Sequence, residues 1–351
     1  MHYLDPQNAS FAAAIANAPA PHQLGYVKGR EALEVLQKHD PAPDILTEIF
    51  EVPGVYGPTS VAMVKSRSLA RQRLPMIFYL HGGGWILGSP TSFAPLLEDL
   101  ARRTGTVIVF PYYTPAPDKQ FPFQFEQVYE VLDYMVRHGG DHNLLVQSIA
   151  LAGDSAGGHM AIAMVQMSLE RGLRAEITHM VLFYPVTDVH KKSESYETFK
   201  DGPFLLADTM DWMIDAFLPE RKDRETALAS PLSFLSDKIL SKFPPTTIFL
   251  SAVDPLLDEG IEFGQRLQKA GVDAAVIKAE GQMHAFVLLK ALQNSPTPRA
   301  VMELAALRLR GALLLGHDHL ELYTFPKLWH FISRRCDGPS RSRRLTSIHP
   351  V

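Results

Sequence analysis

The chain has 351 residues, of which 46% are hydrophobic and 21% charged, and this is an ordinary composition for a globular protein. Its formal net charge of −4 gives no general attraction to nucleic acid, so we expect no nucleic-acid partner. The one cysteine, Cys336, excludes an internal disulfide and a metal site built from several cysteines.

The N-terminal residues favour an amphipathic helix over an export signal. Residues 9–20 are rich in alanine, but no lysine or arginine precedes them and Asp5 does, which is unlike an export signal. No apolar run approaches the roughly 18 residues of a membrane span, so we expect none. Together with the scarcity of cysteine, these features predict a cytoplasmic location.

Helix and strand patterns alternate along most of the chain. Residues 1–45 predict two helices, and residues 45–52 and 60–64 predict a pair of strands. The later predicted strands are 75–80, 106–110, 149–152, 179–184, 246–251 and 274–277, and the later predicted helices are 93–103, 123–137, 156–171, 258–270 and 300–315. Because the strand patterns are continuously apolar and helices separate them, they predict an α/β fold with a mostly parallel sheet covered on both faces.

The domain organisation follows from where this alternation stops. Residues 1–315 form one predicted domain, and an insertion from about 190 to 240 carries an aromatic-rich helical pattern over 208–218. Such an insertion would lie above the strand ends. Beyond residue 315 the pattern ends, and the last twenty residues hold five arginines and one acid. Residues 316–351 therefore predict a disordered basic tail, with a nuclear-localisation patch or an anchor to an anionic surface as open alternatives.

One serine stands at the centre of Gly153-Asp154-Ser155-Ala156-Gly157, directly after an apolar strand pattern and directly before a helical one. Strand, glycine-bounded turn and helix in this order predict a nucleophile elbow, in which the serine oxygen projects over the end of a sheet. A serine hydroxyl needs a neighbouring base to act as a nucleophile near neutral pH. We therefore expect a carboxylate and then a histidine further along the chain.

Two later segments supply those groups. Asp254 follows a buried strand pattern, at the sheet edge where ligands of parallel sheets bind. Asp258 competes for this role, but it stands where the N-cap of the next helix is expected. His284 follows the last predicted strand in a short loop, and no other histidine after Asp254 lies within the regular pattern. The sequence therefore predicts a triad of Ser155, Asp254 and His284.

A glycine triplet, Gly82-Gly83-Gly84, follows the strand pattern that ends before His81. Acyl transfer passes through a tetrahedral oxyanion, and losing one preorganised N–H donor to it costs about 3 kcal/mol of barrier. Glycines let the backbone approach a substrate and aim its N–H groups inward. We predict an oxyanion hole from the N–H groups of Gly83, Gly84 and Ala156, with Gly82 shaping the loop and His81 bracing it.

Four segments of the chain match the motifs of a known family. They are His81-Gly82-Gly83-Gly84-Trp85, Gly153-Asp154-Ser155-Ala156-Gly157-Gly158, Asp254-Pro255-Leu256 and Gly281-Gln282-Met283-His284-Ala285-Phe286. With them the chain resembles the hormone-sensitive-lipase-like family of α/β-hydrolases over about residues 1–315. The resemblance implies an α/β-hydrolase fold with a helical cap built from about residues 1–45 and 190–240. It also implies a carboxylesterase without a metal or organic cofactor.

One turn departs from the family pattern. Family members usually carry Tyr-Arg-Leu-Ala-Pro-Glu after the fourth strand, whereas this chain has Tyr113-Thr114-Pro115-Ala116-Pro117-Asp118. Most of the charge of that turn is missing. We therefore expect the support of the oxyanion loop to be arranged differently here.

The resulting hypothesis is a serine carboxylic-ester hydrolase acting on small to medium acyl, aryl or lactone esters. The departure from the family pattern is similar to fungal members, which suggests a role in secondary metabolism. Two alternatives stay open: a non-catalytic ligand receptor on the same scaffold, or an acyltransferase or cyclase that uses the same triad. The expected partner is a small-molecule ester, and the sequence leaves a homodimer open.

Overall fold

The computed structural model describes residues 3–315 and contains an eight-stranded sheet. Its strands are β1 (Ile45–Val52), β2 (Thr59–Ser66), β3 (Leu74–Leu80), β4 (Val107–Tyr112), β5 (Leu144–Asp154), β6 (Glu176–Phe183), β7 (Thr246–Val253) and β8 (Ala274–Met283). They lie in the order β1-β2-β4-β3-β5-β6-β7-β8. β2 runs antiparallel to β1 and β4, and every other neighbouring pair is parallel. The predicted α/β class with a mostly parallel sheet is confirmed.

Helices cover both faces of this sheet. They are α1 (Pro6–Ile15), α2 (Pro21–Leu36), α3 (Pro90–Thr104), α4 (Phe123–His138), α5 (Ala156–Arg171), α6 (Glu194–Thr198), α7 (Ala207–Phe217), α8 (Pro231–Phe234), α9 (Asp237–Leu240), α10 (Leu257–Lys269) and α11 (Pro296–Leu315). α4, α5 and α10 contribute to the core on one face, whereas α3 and α11 contribute to the core on the other. No helix among the described residues is long and apolar enough to span a bilayer.

Strand β3 shows why the strand patterns are continuously apolar. Met76 and Phe78 belong to the core on the α5 side, whereas Ile77 and Tyr79 belong to the core on the α11 side. All four side chains are fully buried. Since successive residues of a strand point to opposite faces, a sheet covered on both faces needs apolar side chains at every position.

Strands β5 and β8 extend furthest beyond the apolar patterns that predict them. β5 begins at Leu144, and β8 continues to Met283 although only residues 274–277 predict a strand. The extension of β8 contains Gln282, which is fully buried and hydrogen-bonded to Asn8 of α1. His284 lies in the turn directly after β8, as expected, but the strand reaches six residues beyond its apolar pattern because a distant polar partner supports it.

Two segments outside the sheet pack against each other. The ring of Tyr26 on α2 stacks on Trp212 of α7, with ring centroids 4.7 Å apart. His22 Nδ1 lies 2.8 Å from Thr209 Oγ1. We call residues 3–45 and 190–240 the cap segments. The predicted basic tail, residues 316–351, lies outside the described residues.

Candidate active site

The nucleophile elbow joins β5 to α5. Ser155 stands alone between the two elements, with φ +54° and ψ −122°, a backbone conformation that is strained for any residue other than glycine. The surrounding backbone holds it there: the Ser155 N–H donates to Phe183 O at 2.9 Å, and Ser155 O accepts from Val186 N–H at 3.1 Å. The strained turn lifts the hydroxyl above the strand ends.

The structure brings Ser155, His284 and Asp254 together at the carboxyl ends of β5, β7 and β8. His284 Nε2 lies 3.0 Å from Ser155 Oγ, and His284 Nδ1 lies 2.7 Å from Asp254 Oδ2. The second carboxylate oxygen of Asp254 accepts from Leu256 N–H at 3.0 Å. Ser155 is 6% exposed, His284 5% and Asp254 1%. The imidazole can therefore accept a proton from the hydroxyl while the carboxylate fixes its orientation.

The competing carboxylate, Asp258, points elsewhere. Its Oδ2 accepts from the Ser195 N–H at 2.7 Å, and its own N–H donates to Ser195 Oγ at 3.1 Å. The expected N-cap role is wrong, since α10 begins at Leu257 and Leu256 is its N-cap. Asp258 instead ties the first turn of α10 to the cap segment around α6.

The glycine triplet forms the turn after β3, beside the elbow. The Gly82 N–H donates to Asp154 Oδ1 at 2.9 Å, so this donor is occupied. Within the described chain, no hydrogen bond engages the N–H groups of Gly83 and Gly84. Ala156 is the first residue of α5, where backbone N–H groups have no partner inside the helix. Three N–H groups are therefore free to bind an oxyanion.

Asp154 links the elbow to the glycine loop, a role that the sequence analysis did not assign. Its Oδ1 accepts from the Tyr79 hydroxyl at 3.0 Å as well as from Gly82 N–H. The side chain is fully buried, and this burial raises the pKa of Asp154 to about 6, although both hydrogen bonds act in the opposite direction. The only sequence signal for this role is its position directly before the serine.

His81 supports the glycine loop through its contacts with Tyr113 and Gly82. Its ring stacks on Tyr113, with centroids 4.1 Å apart and planes at 4°, and its Nδ1 lies 2.9 Å from Gly82 O. The Tyr113 hydroxyl donates to His81 O at 3.1 Å. Burial lowers the pKa of His81 to about 4, so the imidazole is neutral near neutral pH. The neutral ring carries no imidazolium proton to donate, and its stacking on Tyr113 supports the glycine loop.

Arg30 supports the turn that lacks the charge of the family pattern. From α2, its Nε donates to Ile86 O at 3.0 Å and its Nη2 donates to Ala116 O at 2.9 Å. It also pairs with Asp118 at 3.1 Å. One guanidinium thus joins the segment after the glycine loop to the divergent turn. Local sequence does not predict this link, because 86 positions separate Arg30 from Ala116.

Helix α7 covers the glycine loop from above. The indole of Trp85 stacks on Phe217, with centroids 4.5 Å apart. Met213 lies so close to Gly84 that a Cβ at that position would collide with the methionine sulfur. Trp85 therefore packs the cap segment onto the core, and Met213 occupies the space above a candidate oxyanion donor.

Comparison with known proteins agrees with this geometry. A model of the α/β-hydrolase fold family matches residues 77–288. An esterase of Gibberella moniliformis is 67% identical over 308 residues, which is 88% of this chain and 97% of the relative. An esterase of Fusarium pseudograminearum is 61% identical and covers 88% of this chain and 96% of its own.

Solved structures show the same relationship. Carboxyl esterase 2 of Tuber melanosporum superposes with a TM-score of 0.81 at 32% identity, over 88% of this chain and 99% of that one. A thermostable esterase of Pseudomonas putida superposes with a TM-score of 0.84 at 29% identity, over 89% and 98%. The chain belongs to the hormone-sensitive-lipase-like family of α/β-hydrolases. It is an ester-hydrolysing enzyme.

Proposed function

We propose that the chain hydrolyses carboxylic esters through Ser155, His284 and Asp254, with an acyl-enzyme intermediate. The observation that carries this proposal is the continuous hydrogen-bonded line from Ser155 Oγ through the imidazole to Asp254, with distances of 3.0 and 2.7 Å. A nucleophile, its base and the group that orients the base are then all within reach of one another.

In the first half of the reaction, Ser155 Oγ attacks the ester carbonyl as His284 Nε2 takes its proton. The carbonyl oxygen becomes an oxyanion, which the N–H groups of Gly83, Gly84 and Ala156 stabilise. His284 then gives the proton to the leaving alcohol, and an acyl-Ser155 ester remains. Asp254 stabilises the imidazolium and does not itself take the proton.

In the second half, water takes the place of the alcohol. His284 removes a proton from the water as its oxygen attacks the acyl-Ser155 carbonyl, and the same three N–H groups bind the second oxyanion. Collapse releases the carboxylic acid, and the proton returns from His284 to Ser155 Oγ. The enzyme is restored without any additional reactant.

We further propose that the preferred substrates are esters of a short acyl group with an alkyl or aryl alcohol, or lactones. Met213 fills the space above Gly84, and both reacting side chains are nearly enclosed. Two more distant relatives have names that agree: an ethyl acetate hydrolase of Pseudomonas putida, 28% identical, and an acetyl esterase of Salmonella paratyphi A, 29% identical.

A fluorophosphonate probe tests the nucleophile. We expect covalent labelling that peptide mapping assigns to Ser155, together with turnover of p-nitrophenyl acetate to free acetic acid. The Ser155→Ala variant should lose both, with at least a 10³-fold fall in kcat, because Ser155 Oγ is the hydroxyl that lies 3.0 Å from His284 Nε2. Labelling that persists in Ser155→Ala, or unchanged turnover by it, would contradict the proposed triad.

A further inference from the structure

The end of β8, directly before His284, departs from regular pairing with β7. Ser251 pairs with Ala279 and Val253 pairs with Met283, so a step of two residues on β7 faces a step of four on β8. The strand bulges at this point. A bulge leaves backbone groups without partners in the ladder, and these groups need partners from elsewhere.

Helix α1 and the residue that caps it provide those partners. The Asp5 N–H donates to Gly281 O at 3.0 Å, and the Met283 N–H donates to Asn8 Oδ1 at 3.1 Å. The backbone on both sides of Gln282 is thus bound to the N-terminal segment. Met283 immediately precedes His284, whose imidazole contacts Ser155 Oγ.

The side chains between these backbone contacts form a closed network. Asn8 Nδ2 donates to Gln282 Oε1 at 3.0 Å and to Asp5 Oδ1 at 2.9 Å. Gln282 Nε2 donates to the other Asp5 oxygen at 2.6 Å. Burial raises the pKa of Asp5, but the hydrogen bonds from Asn8 and Gln282 outweigh it and hold that pKa below its ordinary value. The carboxylate is therefore charged and accepts from both amides.

Two of the three side chains in this network are buried. Asn8 is the one buried residue of α1, and Asn8 and Gln282 both have no exposed surface, whereas Asp5 is partly exposed. A helix held mainly by apolar packing can shift by small amounts, whereas buried amides favour the one arrangement that pairs them, because each unpaired buried group costs about 1–3 kcal/mol. The contacts of Asn8 and Gln282 therefore fix the position of α1 against the end of β8.

We propose that Asp5 and Asn8 are positioning residues for His284. They hold the β8 bulge so that the imidazole meets Ser155 and Asp254 at the distances observed. The inference rests on the proposed role of His284 as the base. Without the network, the segment before His284 would relax, and a displacement of about 1 Å is enough to lower a rate about 10²-fold.

The main test is Asn8→Ala, with Ser10→Ala on the exposed face of α1 as the matched control. Asn8→Ala keeps the helix cap, because Asp5 Oδ1 still accepts from the backbone N–H of residue 8. We expect kcat for p-nitrophenyl acetate to fall about 10- to 100-fold with KM within about threefold, and the fluorophosphonate labelling rate to fall by the same factor. Ser10→Ala should match the wild type.

A second variant, Asp5→Asn, covers the case in which Asn8→Ala does not fold. Asparagine is also a good N-cap, but its amide adds a donor that faces the donor of Gln282. We expect the same fall in kcat and labelling rate for Asp5→Asn, measured at a temperature well below the midpoint of its thermal unfolding.

Two outcomes would overturn the proposal: folded Asn8→Ala with wild-type kcat and labelling rate, or a rise in KM alone. Ser155→Ala separates this result from the proposed function. If Ser155→Ala abolishes turnover while Asn8→Ala leaves it unchanged, only the positioning role fails. If Ser155→Ala retains turnover, the proposed triad fails and this inference fails with it.

Discussion

Asp154 illustrates how one buried carboxylate can connect two parts of a site. It directly precedes Ser155, and it accepts from Gly82 N–H in the glycine loop and from the Tyr79 hydroxyl on β3. Its complete burial disfavours the charged form and raises its pKa to about 6. The protein thus keeps a buried carboxylate near neutral pH. The burial is unfavourable, but the hydrogen bonds of Asp154 fix the distance between the serine turn and the glycine loop.

The raised pKa of Asp154 predicts a particular dependence of stability on pH. Because the folded pKa of about 6 exceeds the ordinary value of 3.8, the folded state binds more protons between these values, and the free energy of unfolding falls as pH rises through them. The loss is about 3 kcal/mol. Asp154→Asn keeps the acceptor oxygen but does not titrate, so its free energy of unfolding should not show this fall.

Urea unfolding of both proteins at pH 4 and pH 7 measures the effect. Burial also raises the pKa of Glu259, which contributes in the same direction to both proteins and cancels in their difference. The free energy of unfolding of Asp154→Asn should therefore rise relative to that of the wild type on going from pH 4 to pH 7. An equal pH dependence of the two proteins would rule out the assigned burial cost.

At the scale of elements, the apolar patterns predicted where each strand and major helix lies but not how far every strand extends. The run over residues 274–277 predicts the start of β8, yet the strand continues through Glu280, Gly281 and Gln282. Local sequence cannot extend it, since those residues depend on hydrogen bonds from α1. The helix α5 was predicted at its observed bounds because its pattern and its preceding turn are both local.

The packing of α7 on the glycine loop predicts a change in substrate preference. Met213→Ala should open space above Gly84 and shift the preference toward longer acyl chains. The ratio of kcat/KM for the hexanoate ester to kcat/KM for the acetate ester should rise about tenfold, because one methylene is worth about 1–3 kcal/mol in a pocket. A series of p-nitrophenyl esters measures the ratio. Met210→Ala, also buried on α7, is the control for lost packing. An unchanged ratio in Met213→Ala would contradict the short-acyl preference.

At the scale of the whole molecule, the proposed catalytic groups are easier to identify from the sequence than the contacts that support them. Ser155, Asp254, His284 and the glycine triplet stand in short motifs whose order along the chain carries information. The supports do not: Arg30 and Asn8 lie on N-terminal helices and act on turns far away in sequence. Only the folded sheet makes them neighbours.

Arg30 provides a test of this long-range support. Arg30→Ala should lower kcat about tenfold, because the segment after the glycine loop keeps only the direct bond from Ala116 N–H to Trp85 O and loses the two bonds from the guanidinium. The N–H groups of Gly83 and Gly84 would then be less well aligned. Arg67→Ala is the matched control, since that guanidinium also binds two backbone carbonyls but at the start of β1. Steady-state kinetics should show a fall in kcat for Arg30→Ala alone. Equal kcat in both variants would reduce Arg30 to a structural contact.

The hydrogen bond between Asn8 and Gln282 spans 274 positions of the chain. A ribosome adds about 5–20 residues per second, so Asn8 is synthesised roughly 15–55 seconds before Gln282. The glycine loop and Ser155 are added during that interval. The proposed base, His284, is added only after β8, so an unfinished chain could not hydrolyse esters by the proposed mechanism.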